Sequence, residues 1–142
     1  MIDVALVTRK LALILQDLPA LNELARKSPE DYLASSVPEV LTERYLERVI
    51  GRMIDINYHL ITELGHPPPR DYHESFVALG KLGVLTKPFA EEIALSAGLR
   101  NRLVHEYEEI DAKKVYKALQ VAVLQIPVYL DAVRQFVEKL PT

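Results

Sequence analysis

Cysteine is absent from the 142 residues. That excludes disulfides and thiolate metal sites, and the chain needs nothing that an oxidising compartment supplies. A basic excess is absent as well: 17 Lys and Arg stand against 20 Asp and Glu, for a formal charge of −3. Proteins that coat nucleic acid draw much of their affinity from neutralising many phosphates, so that class is excluded. A nuclease is not excluded, because one cleavage site needs only a local cluster of positive groups. An unbroken apolar run is missing too. The most apolar long stretch, Val115 to Val133, contains Lys117, Gln120, Gln125, Pro127 and Asp131 and is too polar to span a membrane. The start, MIDVALVTRKLALIL, puts Asp3 ahead of Arg9 and Lys10, which is not the order of a secretion signal. A cytoplasmic protein with no membrane partner is expected. Internal repeats, low-complexity runs and long linkers are lacking, so a single domain over residues 1–142 is expected.

What the chain does have is helical period. Gly and Pro fall between periodic segments, which predicts an all-α fold. A first helix is expected from Asp3, as N-cap, to Lys27, with a break or kink near Pro19. The segment Ser28 to Asp31 reads as the start of a short helix, with a capping serine, a proline in the first turn and two acids. From Pro38 to Leu64 the residues Leu46, Val49, Met53, Ile56 and Leu60 keep alternating spacings of three and four, and Ile50, Ile54 and Ile61 add a second stripe. A helix with two apolar stripes is central in a bundle or shared between a core and a dimer interface. Opposite the seam, Arg44, Arg48, Arg52, Asp55 and His59 fall within an arc of about 80°. That polar arc is either a solvated face or the lining of a cleft. A shorter helix, from Tyr72 to near Gly83, and another from Thr86, irregular at Gly98, precede a last helix capped by Asp111. There Val115, Leu119, Ala122, Ile126, Tyr129, Val133, Phe136 and Leu140 form the seam and Pro127 is expected to kink it. These elements describe an up-and-down bundle of four to five helices.

The stretch that carries chemistry is Arg100-Asn101-Arg102-Leu103-Val104-His105-Glu106-Tyr107. With nine arginines and four histidines, an arginine five residues before a histidine is expected roughly 0.25 times by chance. Requiring Asn after the Arg and Tyr two after the His lowers the expectation to roughly 0.0003. Histidine is the side chain whose ordinary pKa suits proton transfer near neutral pH, and a guanidinium offers paired planar donors to a charged phosphorus transition state. On a regular helix Arg100 and His105 point about 140° apart. Either the helix ends inside the motif, or a second copy completes the site. His59, His66 and His73 have no clear ligand partners, so no metal site is expected.

The stretch resembles the R-x4-H-x-Y signature of HepT-type HEPN proteins. The order ERYLERVIGRMIDINYHLI, DYHESFVALGKLGVL, GLRNRLVHEYEEID and a long last helix extends the resemblance over most of the chain. It implies a homodimeric, metal-independent endoribonuclease toxin of a type VII-like toxin–antitoxin pair, without a cofactor. His105 and Arg100 would be catalytic, leaving a 2′,3′-cyclic phosphate and a 5′-hydroxyl. Asn101 and Arg102 would support them, Asp55 would orient Arg100 or His105 by a charge-assisted hydrogen bond, and Arg48 and Arg52 would contact RNA. The implied partner is a minimal nucleotidyltransferase antitoxin of the MntA kind, which transfers AMP to Tyr107. Two alternatives stand beside this reading: a non-catalytic helical subunit that binds nucleotide or substrate for a nucleotidyltransferase, and a purely structural helical dimer.

Overall fold

The computed structural model describes residues 1–105 and 110–141, and among them every regular element is a helix. The helices are α1 (Val4–Arg26), α2 (Pro29–Leu33), α3 (Val37–Glu63), α4 (Tyr72–Lys81), α5 (Lys87–Ile93), α6 (Leu95–His105) and α7 (Ala112–Glu138). The sequence's punctuation sets most of these limits. Asp3, Ser28, Asp71, Thr86 and Asp111 each accept a first-turn backbone N–H, so every one is an N-cap. Gly65 and Gly83 close their helices in the left-handed region, with φ of 88° and 79°.

α1 and α7 run as single unbroken helices through Pro19 and Pro127. One expectation is corrected. The interruption after Thr86 falls at Ala94, which separates α5 from α6, and Gly98 stays inside α6. The extra short helices raise the count to seven among the described residues. No helix there is long and apolar enough to cross a membrane.

Both stripes of α3 are buried, and the α7 seam buries Val115, Leu119, Ile126, Tyr129 and Val133 against it. α1 adds Val7, Ile14, Leu21 and Leu24, so α1, α3 and α7 frame one apolar core on which α4, α5 and α6 pack. Gly80 lets α4 and α5 approach: a Cβ there would stand 2.8 Å from the Ala90 Cβ.

One polar seam crosses this core and a second runs along its α1–α3 edge. The Tyr129 hydroxyl lies 2.7 Å from Asn57 Oδ1, Asn57 Nδ2 donates to Ser75 Oγ, and Ser75 Oγ donates to the Tyr72 carbonyl. This relay ties α7 through α3 to the first turn of α4. The second seam joins α1 to α3. The Asp3 N–H donates to His59 Nε2, Lys10 pairs with Asp55 at 3.1 Å, and Asp17 pairs with both Arg48 and Arg52. The polar arc of α3 is therefore largely the α1 contact, and only part of it opens to a cleft.

Candidate functional site

α6 ends on His105, and Arg100, Asn101 and Arg102 precede the exposed imidazole by no more than one and a half turns. Arg100 is half-buried, with its guanidinium carbon 5.3 Å from the centre of the Tyr72 ring. The Tyr72 backbone carbonyl accepts the Ser75 hydroxyl at the end of the relay from Tyr129, which anchors the backbone that carries the ring. The Nε of Arg100 is buried without a hydrogen-bond partner. Among the described residues no carboxylate pairs with this arginine. A cation so placed keeps its terminal donors available for an anion.

Arg100 opens into a surface hollow of about 260 Å³ that it shares with Glu47, Arg48, Gly51, Arg52, Ile54, Asp55 and Tyr72. On its lining, Arg48, Arg52 and Arg100 outnumber the carboxylates Glu47 and Asp55. Local charge is thus positive on a chain whose sum is −3. Tyr58 packs edge-on to Tyr72, with ring centres 6.1 Å apart, and burial pushes its hydroxyl pKa up, so it stays neutral.

The structure brings Arg48, Arg52, Asp55 and Arg100 to one hollow. It does not bring Arg102 there, since that side chain lines a different cavity of about 560 Å³ between α3, α6 and α7. Asn101 and His105 are exposed and do not line the hollow. Asp55 was expected to bond Arg100 or His105, and this is corrected: its carboxylate takes Lys10 instead, because α1 lies across that face of α3. Tyr107 lies outside the described residues.

Three contributors were missed in the sequence: Asp17, Lys10 and Tyr72. For Asp17 a signal existed. It falls in phase with Val7, Ile14, Leu21 and Leu24 on the buried face of α1, an acid in a core position that has to have a charged partner.

An all-α bundle whose sixth helix ends on R-x4-H beside a cationic hollow defines a HEPN-type helical protein. The chain belongs to the HepT-like ribonuclease family, whose model, described as Ribonuclease HepT-like, matches residues 14–140. It is 37% identical over 135 residues to a tRNA nuclease HepT of Aphanizomenon flos-aquae, covering 95% of this chain and 92% of the relative. It is 26% identical over 89 residues to an mRNA nuclease HepT of Shewanella oneidensis, covering 63% of this chain and 67% of that one. The fold matches the tri-AMPylated HEPN toxin of Shewanella oneidensis, solved in complex with its MNT antitoxin, with a TM-score of 0.81 and 21% identity over 95% of this chain and 99% of that one.

Proposed function

We propose that this protein is an endoribonuclease toxin whose reaction uses Arg100 and His105 and no metal ion, in a site shared by two copies of the chain. The observation that carries the reading is Arg100 itself, a cation with no carboxylate partner among the described residues, placed over the Tyr72 ring at a positive hollow, five residues before an exposed histidine. Folded chains pair most half-buried cations, so one that has no carboxylate among the described residues is suited to receive an incoming anion. The names of the relatives, which are tRNA and mRNA nucleases, support RNA as that anion.

The chemistry runs as an internal transfer. The ribose 2′-oxygen attacks the adjacent phosphorus, its proton passes to an imidazole, and the bond from phosphorus to the 5′-oxygen breaks as that oxygen takes a proton from an imidazolium. The products are a 2′,3′-cyclic phosphate and a 5′-hydroxyl. Arg100 holds the charge that builds on the phosphorus oxygens, and Asn101 adds a neutral donor at the next position. Arg48 and Arg52 bind flanking phosphates. Asp55, by holding Lys10, and Arg102, from the neighbouring cavity, sit one step further out.

The partner is a nucleotidyltransferase antitoxin that places AMP on Tyr107. AMPylation of a HEPN toxin in the Shewanella oneidensis complex supports this. A bulky anion two residues from His105 would compete with RNA for Arg100. His105→Ala and Arg100→Ala are each expected to abolish growth arrest and RNA cleavage with helical content unchanged. Cleavage is expected to survive EDTA. In the same assay, co-expression with the antitoxin should add AMP to the mass of the wild type but not of Tyr107→Phe. Cleavage by purified His105→Ala, or a strict need for a divalent cation, would overturn the mechanism.

A further inference from the structure

We infer that Asp17 is a positioning residue for RNA binding: it fixes Arg48 and Arg52 at the floor of the hollow so that both arginines meet the phosphate next to the scissile one. The inference rests on the ribonuclease reading above. Asp17 sits on α1, outside the motif, and its side chain is only 7% exposed. Its Oδ1 accepts from Arg48 Nη2 at 3.1 Å and its Oδ2 accepts from Arg52 Nη1 at 3.0 Å. Arg52 Nη1 also lies 3.4 Å from the Leu13 carbonyl, and the Arg48 guanidinium lies 5.7 Å from the Tyr45 ring centre.

One carboxylate between two guanidiniums leaves the group of three with one positive charge. Ion-pair stability alone would be met by a single arginine. Two are present, one turn apart on the same face of α3, where unbridged like charges repel and spread. Asp17 cancels that repulsion while occupying only part of each fork, so the remaining N–H donors stay available. Both arginines line the hollow that Arg100 also enters. The arrangement has the chemistry of a phosphodiester subsite beside the cleavage point, built from below by a buried acid.

The test is Asp17→Asn, which keeps the size of the side chain and removes its charge, in the full-length protein with total tRNA as substrate. KM is expected to rise about tenfold with kcat within about twofold, as for a contact made equally in the ground and transition states. Binding of uncleaved tRNA in the His105→Ala background should weaken by a similar factor in Asp17→Asn, and Arg48→Gln in that background should show a salt slope shallower by about one. A merely structural Asp17 predicts the opposite split, with fewer folded molecules lowering kcat at unchanged KM. That result overturns the inference and leaves the ribonuclease reading intact, because the wild type cuts. If Asp17→Asn does not fold, Arg48→Gln and Arg52→Gln take its place, and unchanged KM in both overturns the inference. A wild-type protein inert toward both tRNA and total cellular RNA overturns the ribonuclease reading, and the role of Asp17 with it.

Discussion

Single side chains decide how firmly the motif is presented. Arg100 rests on Tyr72, and the Tyr72 backbone is the end of the relay from Tyr129 through Asn57 and Ser75. Tyr129 is fully buried, and burial raises its hydroxyl pKa well above the ordinary phenol range. It therefore acts as a neutral donor at neutral pH. Tyr129→Phe removes that donor and leaves Asn57 Oδ1 unsatisfied in the core, which costs about 1–3 kcal/mol. The expected readout is a lower Tm by calorimetry, together with a lower kcat, because the platform under Arg100 loosens. A Tm equal to that of the wild type would show that the relay contributes nothing to stability. From sequence alone Tyr129 was legible as a seam residue. Its hydroxyl partner was not, because the partner lies 72 residues away.

Among the elements, α3 does the most. It offers apolar stripes to the core, an arginine pair to the hollow and a glutamate pair near its start. The Glu43 carboxyl is held above the ordinary carboxylate range, first by burial and then by the charge of Glu39 one turn earlier. A folded-state pKa raised above the unfolded value means that the ionised form costs stability at neutral pH. That cost disappears as the pH falls below the unfolded value, about pH 4. Glu43→Gln is thus expected to raise Tm at pH 7 and to lose the gain near pH 4, measured by thermal melts at both. An equal gain at both values would exclude the carboxylate's charge as the cause. The helical spacing of α3 was readable in full: every residue of both stripes is buried. The role of its polar arc was not. Periodicity says which residues share a face but not which element covers it, and α1 covers this one. Likewise the break at Ala94, a good helix former, carries no local signal of the kind that glycine and proline provide.

For the molecule as a whole, Val121, Leu124 and Val128 form an exposed apolar stripe on α7, and Val121 lines the same cavity as the exposed Leu95 of α6. Such a face flanking a site that one helix orients poorly fits the two-copy arrangement. Leu124 is 74% exposed, so Leu124→Glu is expected to leave the fold intact. Sedimentation should then show a monomer, and RNA cleavage should be lost with it. A Leu124→Glu protein with unchanged mass in solution and full activity would rule out this stripe as an interface between copies. The sequence by itself determined the all-α class, the caps, the buried seams and the R-x4-H-x-Y motif. Each of these is a local pattern of period, turn chemistry or spacing within a few residues. Only the tertiary structure decided that Asp17 binds Arg48 and Arg52, that Asp55 takes Lys10, and that Arg100 and Arg102 enter different cavities. Those outcomes depend on which charged groups from distant segments meet once the core has closed, and a carboxylate at the edge of a packed face takes whichever cation the crossing helix brings within reach.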